Sequence, residues 1–228
     1  MSIGQKIKSK LIKPYIKLKS NITKLKYIQK NPTCYFSKNV QIIGTKKLIL
    51  GTNITISKDT WININNREDD DVYMSIGDNS FIGRNNFFTV GKSIELGKYF
   101  FSSKDCKFIG AGHEKNPLQP YILGSVEKKN KIIIEDNVCL GAGVTICGNI
   151  KIGFGSIIGA DSVVVSDIPP LSIAVGSPAK VIKRFDINEK KWKQINEYKK
   201  ILCSDDELFQ LESKKLEINY YAADLYWV

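Results

Sequence analysis

The sequence predicts a mainly β fold in which short parallel strands coil around a shared core, with helical segments at both ends. Two observations support this prediction. Aliphatic residues recur at a stride of six over residues 134–164, whereas the flanking stretches 3–28 and 187–202 show helical spacing. A period of six fits neither the 3.6 of an α-helix nor the period of two of a half-buried strand. It fits a coil that uses one short strand for each hexapeptide.

The repeat is most regular in the second half of the chain. The aliphatic positions of six consecutive hexads are Ile134, Leu140, Ile146, Ile152, Ile158 and Val164. Glycine follows directly at 141, 153 and 159, and we expect glycine or asparagine at the corners, whose backbone angles most side chains disfavour. Related hexads occur earlier, as LGTNIT from Leu50 and as IGDNSF and IGRNNF from Ile76. We therefore predict a coiled domain over residues 34–185, interrupted by loops at 63–75 and 113–133.

Composition and charge narrow the class of protein. The chain has 228 residues and a net charge of +11, but residues 1–30 hold nine lysines and no acid, and the remainder has 25 basic against 23 acidic residues. This distribution argues against a nucleic-acid partner, which would favour a basic surface throughout. Five cysteines, an odd number with no C-x-x-C pair, favour a reducing, cytoplasmic location without disulfides.

The two ends of the chain are predicted to be helical. Residues 1–33 form a basic amphipathic arm, with apolar residues at steps of three and four from Ile3 to Ile28 and a break at Pro14. Such an arm could lie on an anionic membrane through residues 1–30, or it could pack on the coil with its lysines in water. Residues 186–228 are predicted to be a C-terminal helical extension, beginning with an amphipathic helix over 187–202.

The stretch from Ile134 to Ile182 resembles the hexapeptide-repeat acyltransferases. Its ending, DIPP followed by AVGSPAKVI, is similar to a signature of their sugar and polysaccharide O-acetyltransferase branch. The resemblance extends back to roughly residue 40 and covers neither end of the chain. It implies a left-handed parallel β-helix, a homotrimer, and acetyl-CoA bound in the cleft between neighbouring coils. The handedness comes from the resemblance alone, because parallel crossovers are usually right-handed.

The chain has a single histidine, His113, in the segment FIGAGHEKNP. The resembling acetyltransferases carry their catalytic histidine at this place, between the last regular hexads and a long loop. Acyl transfer to an alcohol needs a base that removes the hydroxyl proton, and a neutral imidazole suits that task near pH 7. The resemblance therefore implies that His113 is the general base and that no covalent enzyme intermediate is needed.

The resemblance assigns further residues to the substrate and the cofactor. Asn85 would contact the substrate and stabilise the developing oxyanion, although it could instead be a corner residue, and Asn86 is the alternative if the register shifts by one. The backbone at Ala142 and Ala160 would face the pantetheine arm of acetyl-CoA. Lys180 and Lys183 would meet the CoA phosphates or, alternatively, lie in water. No metal is expected.

These features predict an acetyl-CoA-dependent O-acetyltransferase acting on a sugar hydroxyl of a bacterial surface polysaccharide or its precursor. Cys139 stands where many relatives have a tryptophan against the acceptor sugar, so neither free galactoside nor maltose is assigned. One alternative is N-acetylation of a nucleotide-linked amino sugar. A second is a β-helix that binds or scaffolds without catalysis. A zinc hydratase on the same coil is excluded, because it needs three histidines.

Overall fold

The computed structural model describes residues 32–64, 71–124, 126–127 and 129–195. The predicted helices of the basic arm, and most of the C-terminal extension, lie outside the described residues. Among the described residues, no helix is long and apolar enough to cross a membrane.

The core of the fold is a coil of parallel strands that visits three sheets, A, B and C, in the same order on every turn. Sheet A contains β1 (Tyr35–Phe36), β4 (Thr55–Ile56), β7 (Phe81–Ile82), β10 (Phe101–Ser102), β15 (Cys139–Leu140), β18 (Ile157–Ile158) and β20 (Ser172–Val175). Sheet B contains β2 (Gln41–Ile43), β5 (Trp61–Asn63), β8 (Phe87–Thr89), β11 (Lys107–Ile109), β16 (Thr145–Cys147) and β19 (Val163–Val164). Sheet C contains β3 (Leu48–Leu50), β6 (Tyr73–Ile76), β9 (Ser93–Leu96), β14 (Lys131–Ile134) and β17 (Ile150–Ile152). We number the coils 1 to 6 by their strand in sheet B.

The strand register confirms the hexapeptide prediction. Cys139 pairs with Ile157 and Thr145 pairs with Val163, so one coil corresponds to three hexads. The six aliphatic residues at the predicted stride are all buried, as are the residues four positions after each of them. Two side chains of each hexad therefore point into a core shared by all three sheets. In coils 3 and 4 this core is widened by aromatic rings. Phe88 of coil 3 stacks on Phe108 of coil 4, with ring centroids 4.2 Å apart.

The corners differ from the prediction in where the left-handed backbone lies. Between sheets A and B, each coil has one residue at positive φ, and it is Asn, Asp or Gly: Asn39, Asp59, Asn85, Asp105, Gly143 and Asp161. The glycines predicted for this role precede such positions and serve close approach instead. A Cβ on Gly141 would lie 2.6 Å from the backbone nitrogen of Ala160, and one on Gly153 would lie 2.4 Å from the nitrogen of Pro170. Glycine is required there because the next coil passes directly over it.

Both predicted loops are shorter than expected. β5 runs to Asn63 and β6 begins at Tyr73, so the first connection occupies only residues 64–72, of which 65–70 lie outside the described residues. The second excursion contains an antiparallel hairpin, β12 (Gly112–His113) with β13 (Val126–Glu127). A short 3₁₀ helix, Tyr121–Leu123, lies between these strands, and a second one, Thr45–Lys47, precedes β3. Residues 131–133, predicted as loop, belong to β14.

The chain leaves the coil through an antiparallel hairpin. β21 (Lys180–Asp186) returns along β20, and β22 (Lys191–Gln194) pairs with β21. The prediction of a helix over 187–202 is therefore wrong for residues 191–194. Trp192 packs edge-on against Phe185 across the strand pair, and Lys193 Nζ lies 2.7 Å from Asp186 Oδ2. These cross-strand contacts stabilise a β hairpin, even though the apolar residues also recur at helical intervals.

Candidate functional site

The edge between sheets A and B, hereafter the A–B edge, carries an unpaired backbone amide at the first of the two corner residues of each coil. The residues that supply these amides, from coil 1 to coil 6, are Lys38, Lys58, Arg84, Lys104, Ala142 and Ala160. Up to coil 5, their carbonyl groups accept a hydrogen bond from the next coil, as Ala142 O does from Asp161 N–H at 2.8 Å. Their own N–H groups donate to no partner among the described residues. This edge therefore presents a row of free donors.

The edge between sheets C and A is arranged differently, because carboxylates cap three of its five equivalent amides. Asp78 accepts from Thr52 N–H at 2.8 Å, and Asp136 accepts from Lys98 N–H at 2.7 Å. Glu135 accepts from Phe154 N–H at 2.7 Å. Backbone donors normally find a partner, so those left open at the A–B edge are available to a ligand.

Three of the predicted cofactor residues lie along this one edge. Ala142 and Ala160 occupy successive coils, and their methyl side chains leave the neighbouring amides accessible. Lys180 pairs with Val175 at the end of β20, next to Gly176, whose carbonyl closes the same edge by accepting from Val163 N–H. Lys183 lies further along β21, opposite Ile173, and is therefore set back from the edge.

His113 is attached at the opposite edge of sheet B. The excursion that carries it leaves the coil after Gly110 and returns at Asn130, whose Nδ2 donates to Gly110 O at 3.1 Å. His113 is exposed, and in the β12–β13 hairpin it pairs with Val126. The six residue-to-residue steps from Lys104 to Gly110 span sheet B and correspond to roughly 20 Å of extended chain. The points where His113 and the two alanines join the coil are therefore separated by the width of a sheet.

The structure distinguishes the two asparagines considered for substrate contact. Asn85 is exposed at a corner with φ of 57°, and its Nδ2 donates to Asp105 Oδ1 at 2.7 Å. This hydrogen bond lowers the pKa of the Asp105 carboxyl below its usual range. Asn86 is buried: its Nδ2 donates to Ser102 Oγ at 2.6 Å and its Oδ1 accepts from Cys106 N–H at 2.7 Å. Only Asn85 can therefore meet a ligand.

The outer surface of sheet A is apolar, which sequence reasoning missed. The outward residues include Tyr35, Phe81, Phe101, Cys139 and Ile157, and the rings of Phe81 and Phe101 stack at 5.4 Å. Sheet B carries a similar pair, Trp61 and Phe87, at 5.2 Å. The signal was present in the sequence, because each of these residues directly precedes the inward-facing residue of its strand.

Three of the described thiols, those of Cys106, Cys139 and Cys147, are not prepared for nucleophilic chemistry. Burial raises the pKa of Cys106 to about 11, and it also raises the pKa values of Cys139 and Cys147. A reactive cysteine requires the opposite shift. Among the described residues, no three His, Cys, Asp or Glu side chains are grouped so that they could hold a metal ion.

The curated relatives of this chain are acetyltransferases by name. A provisionally named acetyltransferase of Schizosaccharomyces pombe is 35% identical over 117 residues, which cover 43% of this chain and 56% of the relative. One of Staphylococcus aureus is 36% identical over 114 residues, covering 50% and 56% respectively. The chain thus spans about half the length of the curated relatives it matches. No family model matches the chain.

Among solved structures, the chain is similar to AntD, an N-acyltransferase from Bacillus cereus. A variant of AntD in complex with dTDP and coenzyme A superimposes with a TM-score of 0.57 and 24% identity, covering 74% of this chain and 89% of AntD. AntD in complex with dTDP and 3-hydroxybutyryl-CoA gives the same TM-score at 22% identity, covering 79% and 89%. The chain has the fold of this acyltransferase. At this level of identity, the similarity establishes the fold and leaves the substrate open.

Proposed function

We propose that the protein is an acetyl-CoA-dependent O-acetyltransferase that transfers an acetyl group to a sugar hydroxyl of a bacterial surface polysaccharide or its precursor. The row of unpaired backbone amides at Ala142 and Ala160 is the observation that carries this proposal. It offers hydrogen-bond donors, without bulky side chains, on a coil whose fold is shared with an enzyme that binds coenzyme A. The names of the curated relatives support acyl transfer.

The cofactor is proposed to lie along the A–B edge over coils 5 and 6. Its pantetheine amides would accept hydrogen bonds from the N–H groups of Ala142 and Ala160. Its phosphates would lie at the end of the coil, where Lys180 is closest to the edge and Lys183 follows on the same strand. This places the thioester at the other end of the cofactor, towards coil 4.

In the proposed reaction, His113 acts as the general base. Its neutral imidazole removes the proton of the sugar hydroxyl while that oxygen attacks the thioester carbonyl carbon. When the tetrahedral intermediate collapses, the carbon–sulfur bond breaks and the imidazolium returns the proton to the departing thiolate. Asn85 is proposed to contact the acceptor. Its amide would then exchange its present hydrogen bond to Asp105 for one to the substrate.

The site is proposed to form between copies of the chain in a homotrimer. His113 and the cofactor edge join the coil at opposite edges of sheet B, so we infer that His113 of one copy serves the cofactor edge of its neighbour. The apolar outer faces of sheets A and B support this arrangement, because contiguous exposed apolar surface marks an interaction site. Phe101 and Trp61, on these two faces, are 43% and 41% exposed in the single chain.

Two measurements test the proposal. Calorimetry should show acetyl-CoA binding, and a lack of binding at millimolar concentration would favour a non-catalytic scaffold. Radiolabelled acetyl-CoA should transfer label to a saccharide, and hydroxylamine should release that label because the product is an ester. A label that resists hydroxylamine, on a nucleotide-linked amino sugar, would identify N-acetylation instead.

The basic arm is proposed to hold the enzyme at the cytoplasmic face of a membrane. Each lysine close to an anionic surface contributes about 1 kcal/mol at low salt, and residues 1–30 contain nine. The full chain should therefore sediment with anionic vesicles, and a chain that lacks residues 1–30 should remain in the supernatant. Equal sedimentation of the two would support packing of the arm on the protein.

A further inference from the structure

Coils 1 to 4 of the A–B edge carry a cation in the position where coils 5 and 6 carry alanine. We infer that Lys38, Lys58 and Arg84, with the backbone amides beside them, bind the phosphate or pyrophosphate group of a charged saccharide acceptor. This inference rests on the proposed function, since it identifies the acceptor class of the same site. We call these three residues the basic ladder.

The cations of the basic ladder have no counter-ion in the part of the chain that the structure describes. Each side chain is exposed, and none forms an ion pair with another described residue. Lys104, the next cation along the edge, differs because its Nζ lies 3.5 Å from Asp105 Oδ2. Neighbouring coils are about 4.8 Å apart, so the charges of the ladder repel one another across adjacent strands. A bound anion would offset this repulsion.

The backbone supplies a second, independent feature of the ladder. The N–H groups of Lys38, Lys58 and Arg84 are unpaired among the described residues. At the C–A edge, by contrast, carboxylates cap several of the corresponding amides. Successive free N–H groups combined with cationic side chains form a binding surface for phosphate oxygens.

The acids at the A–B edge do not neutralise the ladder. The carboxylate of Asp59 accepts from Asn39 Nδ2 at 3.0 Å, and that of Asp105 accepts from Asn85 Nδ2 at 2.7 Å. The eight corner residues of coils 1 to 4 comprise four cations, two acids and two asparagines, so a positive excess remains. At the C–A edge, the corresponding residues include Asp78 and Asp136 and only one cation, Lys98.

The position of the ladder assigns it to the acceptor and not to the cofactor. The cofactor residues Ala142, Ala160 and Lys180 occupy coil 5 and the turns beyond it, whereas the ladder lies in coils 1 to 3. A cofactor whose thioester points towards coil 4 leaves the ladder on the far side of the reacting carbonyl. From Lys38 to Arg84 the ladder spans two coil spacings, about 10 Å, which matches a pyrophosphate with one attached sugar.

The test uses inorganic pyrophosphate as the probe, with the full chain saturated by coenzyme A so that the cofactor's phosphate site is filled. The double variant Lys58→Gln/Arg84→Gln should weaken pyrophosphate binding at least about tenfold and reduce its salt dependence, while the dissociation constant for coenzyme A stays within about twofold. The matched control is Lys46→Gln/Lys131→Gln, which removes the same charge from elsewhere on the coil. It should leave pyrophosphate binding unchanged within about twofold.

Three outcomes would overturn the inference. Equal weakening in both double variants would mean that only net charge matters, and loss of coenzyme A binding in the ladder variant would assign the ladder to the cofactor. Absence of pyrophosphate binding to the unmodified protein would remove the site. Because coenzyme A binding is measured separately, its absence in the unmodified protein would refute the proposed function without deciding on the ladder.

Two competitors identify the source of the phosphate group. A uridine-diphosphate sugar and a polyprenyl-pyrophosphate sugar in detergent should each be tested for displacement of pyrophosphate. Displacement by the first would indicate a nucleotide-linked acceptor, and displacement by the second a lipid-linked one. If neither competes while pyrophosphate binds, the ladder is not an acceptor site and the inference is wrong.

Discussion

At the scale of single residues, the fold separates groups that are adjacent in the sequence. Asn85 and Asn86 are consecutive, yet one turns the corner in the open and the other is buried between coils. His113 is the only imidazole of the chain, and it lies on a hairpin outside the regular coil. The two side chains proposed to act on the substrate, those of His113 and Asn85, are thus exposed and take no part in the packing of the core.

Replacing His113 with alanine should reduce kcat at least about 100-fold, because removing a general base typically costs two to four orders of magnitude. Acetyl-CoA binding and the far-UV circular dichroism should not change, since the side chain is exposed. Lys115→Ala, in the same loop, is the control and should retain activity. Turnover that survives in His113→Ala would show that another group is the base.

The two asparagines should respond in opposite ways to substitution. Asn86→Ala leaves the Cys106 N–H without a partner and removes one of the two hydrogen bonds that the Ser102 hydroxyl accepts, so the free energy of unfolding should fall by about 2 kcal/mol or more. Asn85→Gly introduces glycine, which tolerates the φ of 57° found at this corner. The free energy of unfolding should therefore change by less than about 0.5 kcal/mol.

Urea denaturation at one protein concentration measures both asparagine effects. If Asn85 contacts the acceptor, Asn85→Gly should also raise the acceptor KM, and an unchanged KM would leave Asn85 as a corner residue only. An Asn86→Ala variant as stable as the unmodified protein would contradict the two buried hydrogen bonds of Asn86.

At the scale of elements, the coil is determined by contacts between equivalent positions on successive turns. The hexad pattern predicted which residues are buried, because the same two positions of each hexad face the core on every turn. The glycine positions were also predicted, but the reason differs. The prediction relied on the backbone angles that glycine allows, whereas the structure shows close approach of the next coil. Whether a glycine serves backbone angles or close approach depends on what lies above it, which only the packed coil shows.

Gly141 offers a test at this scale. A methyl group at this position would meet the backbone nitrogen of Ala160 at 2.6 Å, so Gly141→Ala should force coils 5 and 6 apart and cost about 1–3 kcal/mol of stability. Because Ala160 is displaced, acetyl-CoA binding should weaken as well. The matched control is Gly112→Ala, where nothing lies within 4 Å of the added carbon. Equal stability of the two variants would contradict the close approach of the coils.

The C-terminal hairpin shows where sequence reasoning failed. The segment INEKKWKQINEYKK has apolar residues at helical intervals, and its first part nevertheless forms β22. The free edge of β20 is available to pair, and β21 and β22 extend that sheet. Pairing with an existing sheet edge outweighs a weak helical preference, and this competition cannot be read from local periodicity.

At the scale of the whole molecule, the site is proposed to be complete only in the assembly. Two apolar faces flank the A–B edge, and the base is carried on the other side of sheet B. Each site is proposed to combine His113 of one copy of the chain with Ala160 of a neighbouring copy. A variant of one residue should then complement a variant of the other. Ala160→Phe is a suitable partner for His113→Ala, because Ala160 is exposed and the larger side chain should block the pantetheine without disturbing the core.

Each of these variants should be inactive by itself. Trimers obtained by coexpressing the two should regain a measurable part of the activity, because some sites then combine an intact His113 with an intact A–B edge. Sedimentation equilibrium should show a trimer in every case. Mixed trimers that stay inactive would place base and cofactor edge in a single chain.

The amino-acid sequence by itself determined the hexapeptide coil, its buried positions and the single histidine, because these depend on a periodic pattern and on residue type. Only the tertiary structure decided which amides are free and which cations are unpaired. It also decided which asparagine is exposed and that the coil ends in a hairpin. These properties arise from neighbours one coil away, about 20 residues distant in the sequence, and a local pattern contains no record of them.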